Sequence, residues 1–425
     1  MPAMPAMSAV SLALAGLLAL GPKVNAAPAG KSCGGLQPIT SVQLGPRPYF
    51  LVNDMDPGPL KNKLASCSEL EMKPTAFSIG HRGGGTMLIP EETLESQLAG
   101  ARMGAGILEC DVAFTSDREL VCRHDICDLH TTTNIVTIPE LNAKCTKPFK
   151  PADPKAGTKA SATCCTSDIT VAEFKSLCSK MDGYNPSATT PQDFLHGTPA
   201  YRTDLYATCG KVMTHKEWIK LVDSLGLKFT PELKTAPFAM PFDGDYTQEK
   251  YAQQFVDEYR EAGIDFSRVW PQSFLYDDVL YWLEHEPEFA KQAVLLDESG
   301  DTPATFEKAV ANLSGYRAAG VNIMAPPLYY LVALDEAGKI VPSKYTIEAK
   351  RLGFKLITWS LERSGFLGDG SKGGFYFTSI ANVTNNDGDV YNLVHALAQD
   401  VGVLGIFSDW SATVTYYANC FGLFP

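Results

Sequence analysis

After residue 26 the 425-residue chain has no run long and apolar enough to cross a bilayer, which excludes a membrane-spanning helix from the remainder. Positive charge is also in deficit: 36 lysines and arginines face 48 aspartates and glutamates, a formal net charge of −12. Such a surface repels polyanions, so nucleic acid and anionic lipid headgroups are disfavoured as partners. A phosphate-bearing small molecule would need a local basic site or a bound cation. Zinc-type spacing is missing too, for no paired CxxC occurs among the 11 cysteines. Histidine is scarce, with seven in all, so each position can be weighed separately.

What is present begins with an apolar fraction of 45% and a charged fraction of 20%, the balance of a folded globular chain. Residues 1–26 hold one apolar run, a single lysine and a close on small residues, the pattern of a secretory signal peptide. A cysteine-rich chain without metal-type spacing points to the same oxidising destination. The sequons at Asn312 and Asn382 fit a secreted glycoprotein. Nothing in the sequence sets an oligomeric state.

From residue 76 to the C-terminus, short β-rich runs alternate with helical patterns, which predicts repeated βα units and a parallel sheet. Eight runs are found: 77–81, 106–112, 228–233, 268–273, 293–297, 321–326, 355–360 and 405–409. The stretches "EETLESQLAGARMG", "THKEWIKLVDSLG" and "TQEKYAQQFVDEYREAG" read as amphipathic helices closed by glycine. The expected fold is an α/β (β/α)₈ TIM barrel, with a doubly wound sheet as the competing arrangement. A cysteine-rich insertion at about 126–213, after the second strand, is expected to form a disulfide-stapled subdomain over one barrel mouth. Residues 27–75 form an N-terminal extension that reads as loop and turn.

The chemistry gathers at predicted strand ends. In "GILECDV", Glu109 and Asp111 are two apart on a strand and share a face, while Leu108 and Cys110 point the other way. Glu232 and Lys234 repeat that spacing in "PELK". Three carboxylates, Glu109, Asp111 and Glu232, make a hard-oxygen set suited to Ca²⁺ or Mg²⁺, and without a cation they would repel one another. His81 in "GHRGGG" and His124 in "VCRHD" each close a strand near these acids, and two histidines can serve as base and acid on either side of a phosphate. Arg82 and Lys234 supply positive charge for phosphate oxygens. Glycines 83–85 are expected to let backbone approach the ligand closely. An odd cysteine count predicts five disulfides with Cys110 left as a buried free thiol, and Cys127 with Cys145 as a local pair.

The motifs "GHRGG…PEET", "ILECDVAFTSD…LVCRHD" and "PELK" resemble, in order, the markers of the glycerophosphodiester phosphodiesterase family. "PQSF" at 271–274, Trp359 in "LITWS" and "GVLGIFSD" add to the likeness, which spans about residues 76–410. The resemblance implies a TIM barrel with His81 and His124 as acid–base pair, Arg82 and Lys234 on the phosphate, and a divalent cation on Glu109, Asp111 and Glu232. It also implies Glu91 and Trp359 as site lining, and metal-dependent hydrolysis of a small-molecule glycerophosphodiester, such as glycerophosphocholine, to glycerol 3-phosphate and an alcohol. The chain departs from the family's usual Pro-Glu-Asn-Thr by carrying Glu92 in third place. Two other readings share the barrel: a lipid phosphodiesterase of the sphingomyelinase D type, and a catalytically silent secreted binding protein.

Overall fold

The computed structural model describes residues 37–425 apart from positions 204 and 207, so the expected signal peptide lies outside the described residues. Eight parallel strands close into a barrel: β1 Thr75–Gly80, β2 Ala105–Phe114, β3 Lys228–Leu233, β4 Gln272–Ser273, β5 Val294–Leu296, β6 Ile323–Ala325, β7 Lys355–Leu361 and β8 Gly405–Ser408. Closure comes from β1, which pairs with β2 on one side and β8 on the other. The predicted run 268–273 survives as strand only at its last two residues. Its first residue ends a 3-10 turn, Phe266–Arg268, capped by the Asp265 side chain, and Val269 makes only an isolated bridge to Phe229.

A helix follows each strand: α1 Leu94–Arg102, α2 His215–Ser224, α3 Gln248–Glu261, α4 Tyr276–His285, α5 Pro303–Ala318, α6 Lys344–Arg351, α7 Val390–His395 and α8 Ser411–Phe421. The signals read from sequence hold locally. Thr214 and Glu217 form a reciprocal capping box at the start of α2. Gly104, Gly226 and Gly263, the closing glycines, all take positive φ. The main apolar core lies between strands and helices. A smaller cluster that includes Ile79, Ile107, Val294, Ile323, Ile357 and Phe407 is contributed by the inward faces of the strands.

The described part of the N-terminal extension is not all loop. Arg47–Asp54 and Pro59–Ala65 are helices with proline in their first turn, where a missing N–H costs nothing and the fixed φ suits the helix. The stretch expected as loop and turn is rich in proline, and Pro48 and Pro59 stand in the first turns of these helices. Leu51, Val52 and Leu64 are buried, and a Cys67–Cys420 disulfide ties the extension to α8.

The segment at 126–213 is built of short helices and two-stranded ladders, stapled by Cys127–Cys165, Cys145–Cys164 and Cys178–Cys209. The expected Cys127–Cys145 pair is therefore wrong: adjacent Cys164 and Cys165 sit between them and take one partner each. Cys110 is not a free thiol either. The chain turns after β2 and returns antiparallel at Leu120–Cys122, and this brings Cys122 to the side of β2 that carries Cys110; the two are bonded with Cα atoms 5.3 Å apart. Ten cysteines thus form five disulfides, and Cys33 lies outside the described residues. Asn382 is exposed in a 3-10 turn, whereas Asn312 is half-buried on α5.

Candidate active site

Strand register assembles the site. Gly80 of β1 sits beside Leu108 of β2 and Ser408 of β8, so the residues next along, His81, Glu109 and Asp409, meet at the C-terminal rim. On the other side of β2, Asp111 sits beside Glu232 of β3, and Glu232 beside Gln272 of β4. One cavity of about 400 Å³ is lined by His81, Arg82, Glu109, Asp111, His124, Glu232, Lys234 and Trp359. Every predicted site residue except Glu91 faces it.

His81 is held from both ring nitrogens. Its Nδ1 lies 2.5 Å from Asp409 Oδ1, its Nε2 3.2 Å from Ser360 Oγ and 3.9 Å from Glu109 Oε2. Burial outweighs the pull of Asp409 and lowers the imidazole pKa to about 4, which leaves it neutral near pH 7. An anionic Asp409 then takes the Nδ1 proton as hydrogen-bond acceptor, and Nε2 is the free base. Asp409 itself is held below its ordinary range: burial would raise it, but Arg363 and His81 prevail. The half-buried His124 follows the short returning strand; its pKa is also pushed down, by burial and then by Arg82 and Lys234.

Three carboxylates crowd the floor, with ligand atoms of Glu109, Asp111 and Glu232 all within 4.8 Å of one another. Burial and then mutual repulsion push Glu109 well up, and burial lifts Glu232 to about 8 against the opposing effect of Lys234, 2.6 Å away. Asp111 stays below its ordinary range, since Lys234 and Arg82 overcome the effect of burial. Both Asp111 carboxylate oxygens are buried without a hydrogen-bond partner, although two cations stand 3.8 Å away. Orphaned anionic oxygens facing a cavity are the donor set of a hard cation, so these residues fit one. Gln272, which donates to Glu109 Oε1 at 2.8 Å, and the Arg82 backbone N–H, which donates to Glu109 Oε2 at 2.7 Å, fix that carboxylate in place.

Glu91 lies behind the cavity wall rather than on it. Its carboxylate meets three guanidinium groups, Arg82 at 2.8 Å, Arg363 at 3.0 Å and Arg202 of the insertion at 3.4 Å. Their charge overcomes burial and holds Glu91 well down, so it orients Arg82. The glycines serve packing against the chain itself. A Cβ on Gly83 would lie 2.5 Å from Ser96 Oγ and one on Gly84 2.2 Å from Ser411 Oγ, and both have positive φ. The close approach is to α1 and the start of α8, and it turns His81 and Arg82 into the cavity. Glu92 is fully buried at φ 58°, with Oε1 accepting from the Asp111 N–H at 3.4 Å.

Asp409, Ser360, Gln272, Arg363 and Arg202 were not singled out from sequence. Asp409 and Gln272 lay within the noted motifs "IFSD" and "PQSF" and stand at strand ends like the residues that were chosen. Arg202 and Arg363 are on loops, and no sequence signal marked them.

A sequence model described as the glycerophosphoryl diester phosphodiesterase family matches residues 81–410. The chain belongs to that family. A protein of Arthroderma benhamiae named "Extracellular protein" is 51% identical over 245 residues, 57% of this chain and all of that one. Among solved structures, a Silicibacter pomeroyi protein assigned as a glycerophosphoryl diester phosphodiesterase superposes with a TM-score of 0.52 at 18% identity, covering 84% of this chain and 98% of that one. A phosphodiesterase of Oleispira antarctica, solved with the product sn-glycerol-3-phosphate, gives a TM-score of 0.44 at 16% identity, covering 80% and 96%. Among the described residues no helix is long and apolar enough to cross a membrane.

Proposed function

We propose that this family member hydrolyses glycerophosphodiesters such as glycerophosphocholine to glycerol 3-phosphate and a free alcohol, with a Ca²⁺ or Mg²⁺ ion held by Glu109, Asp111 and Glu232. One observation carries the proposal: two histidines, two cationic side chains and three converging carboxylates face a single cavity at the barrel rim. When bound, the cation supplies charge neutralisation for the phosphoryl group. Arg82 and Lys234 bind and orient the non-bridging oxygens.

His81 Nε2 accepts a proton from the attacking water as its oxygen bonds to phosphorus. The bond from phosphorus to the alcohol oxygen breaks, and His124 passes its proton to that oxygen. Solvent then returns a proton from His81 to His124. Burial and then the positive field of Arg82 and Lys234 depress protonation of His124, and an anionic phosphodiester beside them offsets the field, though not the burial. Charging of the acid is thereby linked to substrate binding.

Secretion is proposed from the apolar leader at 1–26, from five disulfides and from the relative named extracellular. The test is hydrolysis of glycerophosphocholine by the purified protein with and without chelator, alongside His81→Ala and His124→Ala. Each variant is expected to lose about 10²-fold or more in turnover, the usual contribution of a positioned acid or base. Near-normal rates in both, full activity in excess chelator, or release of choline phosphate in place of glycerol 3-phosphate would sink the assignment.

A further inference from the structure

The cavity has two unlike sides. Its β1–β3 side carries the groups just described. Its β4–β7 side is aromatic and acidic: Phe274 follows β4, Glu298 and Asp301 follow β5, Trp359 stands on β7, and Phe375 with Tyr376 come from the loop after β7. The rings form one edge-to-face chain, Phe274 to Trp359 at 5.6 Å, Trp359 to Tyr376 at 5.9 Å and Tyr376 to Phe375 at 5.2 Å. Trp359 is fixed by donating from Nε1 to the Ala325 carbonyl at 2.7 Å.

Asp301 is equally fixed, since its Oδ1 accepts from the hydroxyls of Tyr329 at 2.7 Å and Tyr330 at 3.0 Å. Hydroxyls orient a carboxylate without neutralising it. Neither Asp301 nor Glu298 makes an ion pair with a lysine or arginine among the described residues. Aromatic faces carry negative potential and attract cations, and the fold already uses this where the Lys234 ammonium sits 5.9 Å from the Phe274 ring centroid. An anionic headgroup would meet two carboxylates without an ion-pair partner here, and a neutral polyol would gain nothing from their charge.

We propose that this wall is a headgroup subsite for organic cations, so that among glycerophosphodiesters the enzyme selects those whose alcohol carries a quaternary or primary ammonium group. The proposal rests on the hydrolytic reading above. Phe375, half exposed at the mouth, and the Asp301–Glu298 pair set specificity, while the β1–β3 side acts on the phosphate common to all substrates.

The test compares kcat/KM for glycerophosphocholine and for glycerophosphoglycerol, whose headgroup is neutral, in the disulfide-intact protein. A preference of about tenfold or more for the choline ester is expected. It should shrink several-fold in Asp301→Asn/Glu298→Gln and in Phe375→Ala, and tetramethylammonium should inhibit the wild type competitively but those variants weakly. A fold damaged by substitution lowers both rates together and leaves their ratio alone, so a variant ratio equal to the wild-type ratio overturns the assignment of these residues. Equal rates on the two esters overturn the subsite while leaving the hydrolytic function standing. Hydrolysis of neither overturns both.

Discussion

The two sides of the barrel mouth differ in how they are built. β1, β2 and β3 run for 6, 10 and 6 residues, whereas β4, β5 and β6 run for 2, 3 and 3. Long strands hold a register over many hydrogen bonds, so the side chains at their ends are placed by the sheet itself. That half carries the metal-type carboxylates, both phosphate-seeking cations and the two histidines. On the aromatic and acidic side β4, β5 and β6 hand the rim over to loops, and only Trp359 stands within a longer strand, the 7-residue β7. On the proposed reading, groups that react have the precision of the sheet, while groups that would recognise a variable headgroup sit mostly on loops, which are freer to differ.

The largest effect that could break this contrast is at Asp111. Asp111→Ala removes two orphaned anionic oxygens from the floor, and turnover is expected to fall about 10³-fold, since charge stabilisation by a bound cation is worth several kcal/mol. Calorimetric titration with Ca²⁺ and Mg²⁺ should show the matching loss of metal affinity. A variant that bound metal normally would move the cation away from β2.

Next in size is the brace under the same strand. Replacing Cys110 and Cys122 together with alanine opens a short loop and should cost about 3 kcal/mol in urea unfolding, of the order found for closing such loops. An unchanged unfolding midpoint would show that β2 is held by pairing alone.

Asp409 should give a pH signature. Its folded pKa lies below the ordinary 3.8, so its stabilising contribution is fully present above pH 3.8 and lost as pH falls further below that value. Asp409→Asn should therefore be less stable than wild type by about 1–2 kcal/mol at pH 6, with the gap narrowing only as pH falls below 3.8. The same variant should lower kcat more than it raises KM, because Asp409 aims His81 rather than touching substrate. A stability gap independent of pH would contradict the ion-pair account.

The smallest change sharpens the comparison from within. Glu92→Asn restores the family's usual residue, accepts the left-handed conformation at φ 58° more readily and removes a buried carboxyl whose pKa burial and the nearby Asp111 and Glu109 push up. A gain of about 1 kcal/mol is expected at neutral pH. A loss would mean that the Glu92 carboxyl is needed to hold the Asp111 backbone.

Alternation in "GILECDV" and the spacing of "PELK" were enough to place Glu109, Asp111, Glu232 and Lys234 on one rim, because a strand has a period of two and a parallel barrel points every strand the same way. Glycines closing helical stretches were legible for the same local reason. The prolines of the extension misled because the same residue marks turns and helix starts, and only the burial of Leu51, Val52 and Leu64 decides between them. Cysteine pairing was not legible at all, since it depends on which segments return to the same place.

By itself, the sequence determined what its local periodicities encode: eight βα units, a segment too cysteine-rich and irregular to belong to them, and the residue types of the phosphate half of the site. Tertiary structure alone decided that Cys122 comes back to Cys110, that Asp409 on the last strand meets His81 on the first, and that Arg202 and Arg363 converge on Glu91 from separate loops. Those partners are 12, 328, 111 and 272 residues apart. No local pattern spans the three longer distances, and the short one is set by the antiparallel return after β2. Barrel closure and the folding of the insertion bring them together, where burial makes an unpaired charge costly and so fixes which groups must meet.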